Sequence, residues 1–113
     1  MDIISRICEL PVEFRVRGDV SMLGLVEESG YRDQKSALTV EAVRACLSGR
    51  PDLVDAWFGY SEDKRTSSGW YIVQCEDAQF EVGFFPKGER LTIESRALAC
   101  AEFILREVRA IAG

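Results

Sequence analysis

The first half of the chain carries its apolar residues mostly at helical spacing. Residues three or four positions apart share one face of a helix, so this spacing favours helices that bury one side. Asp2 can cap the first helix, and Gly30 can end the second in a left-handed conformation. The pattern predicts helices over 2–9, over 20–29, from Thr39 to Leu47 and from Pro51 to about Tyr60.

Two stretches between these helices are less regular. Over residues 12–16, apolar residues alternate with charged ones, and a period of two favours a short strand. A helix that continues from Pro11 is the alternative, because proline suits a first helical turn. The pattern leaves both open. Residues 31–37 are polar and are expected to form a loop.

The second half of the chain has the alternating pattern and turn residues of β-hairpins. It predicts the strands Trp70–Cys75, Phe80–Phe85 and Arg90–Ile93. Ser95 can then cap an amphipathic helix from Arg96 to about Ile111. A chain of 113 residues suits one domain. We expect a single α+β domain over 1–113, with N-terminal helices, a three-stranded antiparallel meander and a C-terminal helix packed on the sheet.

The charge balance narrows the choice of partners. The chain has 19 acidic and 14 basic residues and a net charge of −5. Nucleic acids are bound through clustered positive charge, so we expect no nucleic-acid partner. An acidic surface keeps a protein soluble and attracts basic partners. No apolar run is long enough to span a membrane and no signal peptide is evident, so a cytoplasmic protein that does not bind membranes is expected.

The chain lacks the commonest general base and the commonest nitrogen ligand of metals, and it shows no motif of a catalytic or metal site. It has no histidine, which excludes Ser–His and Cys–His nucleophile pairs. Its four cysteines are far apart and form no CxxC pair, so we expect reduced thiols in the core; disulfides and a redox or metal role are the alternatives. The glycines form no phosphate-binding loop. We therefore expect no enzymatic activity, no metal and no cofactor.

Residues 57–71, here called the aromatic segment, are the richest in binding chemistry. They combine tryptophans, tyrosines and charges of both signs, the residue types that dominate interface energetics. Two interpretations are open: a binding surface, or core aromatics joined by a solvated polar connection over 61–69. In that connection Lys64 lies among charged neighbours, and nothing in the sequence predicts its burial.

The run YSEDKR at 60–65, followed by SGWY at 68–71, resembles small bacterial proteins of the toxin-immunity type. The resemblance extends to the layout of residues 25–110. It implies a cytoplasmic, non-catalytic protein that binds a cognate basic toxin. The candidate contacts, which derive from no known site, are Trp57, Tyr60, Glu62, Asp63, Arg65, Trp70 and Tyr71.

Other functions fit the same pattern. A small-molecule-binding or regulatory domain would have a pocket between the sheet and the helices. A self-associating protein could form a homodimer through Trp70, Tyr71 and the edge of the meander.

Overall fold

The computed structural model of the chain describes residues 2–64 and 68–113. The first part is helical and the second is a sheet followed by a long helix. The helices of the first part are α1 (Ile3–Cys8), α2 (Leu10–Arg17), α3 (Met22–Glu28), α4 (Val40–Leu47) and α5 (Pro51–Lys64). The second part contains β1 (Gly69–Gln74), β2 (Phe80–Phe85), β3 (Arg90–Ile93) and α6 (Arg96–Ala112).

The expected α+β architecture is confirmed. The strands form an antiparallel sheet in the order β1-β2-β3, in which Ile72 pairs with Val82 and Val82 with Leu91. The C-terminal helix α6 packs on all three strands and also on α3, α4 and α5. It therefore forms the centre of the molecule, between the sheet and the other helices.

Polar side chains cap the helices where the sequence predicts. Asp2 accepts a hydrogen bond from the Ser5 amide (2.8 Å), and Thr39 and Ser95 do the same for the amides three positions on. Ser21 caps α3 through the Gly24 amide, so this helix begins later than predicted. Residues 31–37 form short 3₁₀ turns rather than an open loop, and they bury Tyr31.

The strand favoured for residues 12–16 is wrong, and the helical alternative is correct. Pro11 lies in the first turn of α2, where its missing amide hydrogen costs nothing. Gly18 ends the helix at a φ of +67°, a conformation that favours glycine. The alternating apolar residues are not paired in a sheet: Val12 is 41% exposed and Val16 is 78% exposed.

The polar connection predicted after Tyr60 is also partly wrong. Helix α5 continues to Lys64, so residues 61–64 are helical. Ser61 is buried, and its hydroxyl accepts a hydrogen bond from the Ile72 amide (2.9 Å) and donates one to the Ile72 carbonyl (3.2 Å). Ser61 therefore holds this last turn of α5 against β1, while Glu62 and Asp63 of the same turn are exposed to solvent. Residues 65–67 of the predicted connection lie outside the described residues, and its last residue, Gly69, already belongs to β1.

The core is built around α6 and Trp57. The Trp57 ring meets Phe103 of α6 edge to face, with 6.0 Å between the ring centroids. All four cysteines are free thiols; Cys8 and Cys100 are buried, whereas Cys46 and Cys75 are partly exposed. Burial raises the pKa of Cys100 to about 12. Burial and the neighbouring Cys46 raise the pKa of Cys8 as well.

Candidate functional site

Helix α2 stands between two depressions of the surface. It buries only Leu10 and Pro11 of its own residues, so most of the helix is open to solvent. One side borders a depression of about 390 Å³, here called the outer groove, lined by Arg6, Glu9, Val12, Glu13 and Val16. The opposite side borders a larger depression of about 650 Å³ between α2, α3, α5 and α6, here called the inner cleft.

The inner cleft has mainly apolar walls. Those walls are formed by Pro11, Phe14, Met22, Leu23 and Ile111. Phe14 and Leu23 are 39% and 40% exposed, so its mouth is wide. Polar groups complete the lining: Tyr60, Lys64 and Glu107 are largely buried, whereas Arg15, Asp63 and Ser68 are exposed at the rim.

Glu107 is the centre of the buried polar group. Only 2% of this residue is exposed. Its two carboxylate oxygens accept hydrogen bonds from the Lys64 ammonium at 2.9 and 2.8 Å, and one of them also accepts from the Tyr60 hydroxyl at 2.5 Å. Tyr60 and Lys64 reach the same carboxylate because residues four positions apart share a helix face. A buried carboxylate is tolerated only when it is paired in this way.

The Tyr60 hydroxyl is held in its neutral form. Burial, followed by the negative charge of Glu107, raises the pKa of Tyr60 well above its ordinary value. The neutral phenol can therefore donate a hydrogen bond to the carboxylate at any ordinary pH. The Lys64 ammonium also lies 5.7 Å from the centroid of the Tyr60 ring, a cation–π contact. Tyr60, Lys64 and Glu107 thus join α5 to α6 at the bottom of the inner cleft.

Two charges of opposite sign remain at the rim of the cleft. The Arg15 guanidinium lies over α5, with one nitrogen 3.7 Å from the position of a Cβ on Gly59. Asp63 lies one turn further along the same face of α5. Across residues 2–64 and 68–113, neither Arg15 nor Asp63 makes an ion pair or a side-chain hydrogen bond.

The outer groove combines exposed valines with carboxylates. Val12 and Val16 lie one helical turn apart and form its apolar surface. Glu13 is 4.0 Å from Arg6, at the limit of an ion pair. The Glu9 carboxylate makes no ion pair within the described part of the chain.

The residues proposed from the aromatic segment do not form one surface. Trp57 is fully buried, and its indole nitrogen donates a hydrogen bond to the Cys8 carbonyl (2.9 Å), so it supports the core and has no surface to offer. Tyr60 and Asp63 line the inner cleft. Glu62 is exposed beside β1, near Ser61. Arg65 lies outside the described residues.

The two aromatic residues that open the sheet lie on opposite faces of β1. Trp70 is half-buried against α6, edge to face with Phe84 at 5.3 Å and with the Arg106 guanidinium 5.6 Å from its ring. Tyr71 is on the other face, where its hydroxyl donates to the Glu81 carboxylate. Both side chains therefore have structural partners in the sheet and α6, so neither needs a binding role to explain it.

Sequence reasoning missed Glu107, Arg15 and the outer groove. Glu107 did have a signal, because it follows Ile104 by three positions and precedes Ile111 by four. A carboxylate in the apolar stripe of an amphipathic helix needs a partner, which predicts a buried ion pair. Arg15 had no comparable signal, since its position depends on how α2 packs against α5.

Comparisons with known proteins identify no relative: no family model, no curated protein and no solved structure matches the chain. Within the described residues, every helix is too short or too polar to cross a membrane. The same residues contain no cluster of three or more Cys, Asp or Glu side chains that could hold a metal ion.

Proposed function

We propose that this chain is a non-enzymatic protein-interaction domain that binds a basic partner through the outer groove. The observation that supports it most directly is the exposure of Val12 and Val16 on a helix that buries little of itself. Single exposed apolar residues are common on protein surfaces. Two of them one turn apart, in a concave surface, offer apolar area that a partner helix or loop would cover.

The charge around the valines favours a basic partner. Glu9 and Glu13 border the groove, and Arg6 is its only cation among the described residues. The whole chain carries a net charge of −5. Complementary charge would accelerate association and select against acidic competitors. A basic toxin bound by an immunity protein is one such partner, and the resemblance of the 60–71 region to that class motivates testing it.

A pair of designed peptides tests the proposal without knowledge of the natural partner. The first is an amphipathic helix of leucine and lysine, and the second replaces each lysine by glutamate. We expect the basic peptide to bind and the acidic one not to bind, as measured by calorimetry. Binding of the basic peptide should weaken as salt is added.

Variants then locate the binding surface. The double variant Val12→Gln with Val16→Gln removes the apolar area and introduces glutamine, a good helix former. It should weaken binding of the basic peptide about tenfold. Glu9→Lys should weaken it further. Phe85→Gln is the matched control, because Phe85 is 50% exposed on β2. Equal binding of both peptides, or equal loss in the control, would overturn the proposal.

A further inference from the structure

We infer that the inner cleft binds a free apolar α-amino acid in its zwitterionic form. The apolar side chain would lie between Phe14, Met22 and Ile111. The carboxylate would pair with Arg15 and the ammonium with Asp63. This inference is independent of the proposed function, because the inner cleft and the outer groove lie on opposite sides of α2.

The size and lining of the cleft suit a small molecule. Its volume of about 650 Å³ falls within the range of small-molecule sites in proteins. Such sites combine apolar walls with a few polar groups that orient the ligand. The apolar walls supply the first feature, and the rim charges supply the second.

The charges at the rim determine which small molecule fits. Lys64 and Glu107 neutralise each other and exert little net field. Arg15 and Asp63 are therefore the charges that a ligand would meet. The Arg15 guanidinium, which comes from α2, lies over Gly59, and Asp63 is one turn further along α5 from Gly59. In an α-amino acid the two charged groups are attached to one carbon. They can therefore meet a cation and an anion at this spacing while the side chain points into the cleft.

Ligands with a single charge fit less well. A carboxylic acid would pair with Arg15 but would place its charge near Asp63, and an amine would meet the reverse problem. The guanidinium of Arg15 can bind a carboxylate with two parallel hydrogen bonds. The Tyr60 hydroxyl oxygen, which donates its hydrogen bond to Glu107, still has lone pairs that can accept from an ammonium.

Leucine and two of its analogues test the inference by calorimetry. The analogues are 4-methylpentanoate, which lacks the amine, and isopentylamine, which lacks the carboxylate. We expect leucine to bind and each analogue to bind at least about tenfold more weakly, the loss of one charge-assisted contact. Glycine, which has no side chain to occupy the cleft, should not bind measurably.

Variants with matched controls assign the two charges. Arg15→Gln should weaken leucine binding about tenfold but should not weaken binding of isopentylamine, which loses a like charge. Asp63→Asn should weaken leucine binding but should not weaken binding of 4-methylpentanoate, for the same reason. Arg44→Gln and Glu41→Gln are the controls, since both residues are exposed on α4 and line neither depression. All four positions are exposed, so circular dichroism should show unchanged folding.

The inference is overturned if leucine does not bind near its solubility limit, or if leucine and its two analogues bind equally. It is also overturned if the control variants weaken binding as much as Arg15→Gln. Its failure is distinguishable from failure of the proposed function. The peptide titration reports on the outer groove and the leucine titration on the inner cleft.

Discussion

The ring of Tyr71 lies directly on the backbone of Gly83, its cross-strand partner in β2. A Cβ added to Gly83 would stand 2.6 Å from the Tyr71 hydroxyl oxygen and 2.8 Å from the ring carbon that carries it. The hydroxyl itself donates to Glu81, which fixes the ring in this position. The pair is therefore matched in shape: the tyrosine occupies the space that the glycine leaves.

We expect Gly83→Ala to destabilise the domain by about 1–3 kcal/mol, because the methyl group must displace the Tyr71 ring. Urea denaturation measures the change. In a Tyr71→Ser background the same substitution should cost much less, since the ring is gone. A cost that is equal in both backgrounds would mean that the backbone, and not Tyr71, requires glycine at this position.

Breaking the buried ion pair of Glu107 should destabilise the domain more than breaking a surface ion pair. Glu107→Ala removes the carboxylate that Lys64 and Tyr60 share, and breaking a buried pair typically costs about 3 kcal/mol or more. Arg32→Ala is the control, because Arg32 is 58% exposed and its pair with Glu27 should contribute less than about 1 kcal/mol. Similar losses for both variants would contradict a structural role for the buried group.

Ser61 should contribute far more to the free energy of unfolding than an exposed serine does. Ser61→Ala leaves the amide and the carbonyl of Ile72 without partners, at an expected cost of about 1–3 kcal/mol. Ser48→Ala is the comparison, because that serine is exposed and its hydroxyl donates to the Ala45 carbonyl one turn back on its own helix. It should change the free energy of unfolding by less than about 0.5 kcal/mol. A neutral Ser61→Ala would show that water can replace the hydroxyl.

Stability should fall at alkaline pH. The pKa of Cys100 is raised from 9.0 to about 12 in the folded protein, so its contribution is complete below pH 9 and is lost as the pH rises towards 12. The pKa of Cys8 is also raised in the folded protein. The pKa of Tyr60 is raised as well, so Tyr60 begins to lower the stability above pH 10. Each group that ionises only in the unfolded chain subtracts about 1.4 kcal/mol per pH unit.

Urea denaturation in reducing buffer between pH 7 and pH 10 tests this dependence. The variant with Cys8→Ala and Cys100→Ala should be less stable at pH 7, because two core side chains are shortened. Its stability should nevertheless remain flat to about pH 10, where Tyr60 takes over. If its stability declines from pH 9 as steeply as that of the unaltered chain, the thiols are not the cause.

The parts of the fold that follow from local pattern could be predicted from the sequence. The meander and α6 were predicted nearly to the residue, because alternation, turn residues and a serine cap agree there. The strand favoured for residues 12–16 was wrong for a physical reason. An alternation of polarity over five residues fits both a strand and a helix whose valines face solvent. The packing of α2 on the rest of the chain determines which of the two forms.

The candidate sites depend on contacts that no local pattern contains. Lys64 and Glu107 are 43 positions apart, and their pairing exists only because α5 and α6 lie side by side. The composition of the aromatic segment is typical of a binding surface, yet Trp57 lies in the core. Composition identified a region rich in interactions, but most of those interactions are within the protein itself.

The hydrogen bonds of Ser61 have a consequence for contacts between copies of the chain. Strand β1 is at an edge of the sheet, where unpaired amides and carbonyls would act as a template for a strand from another molecule. Ser61 occupies both polar groups of Ile72, in the middle of that edge. A single hydroxyl thus interrupts the row of free amides and carbonyls that continuous intermolecular pairing would need.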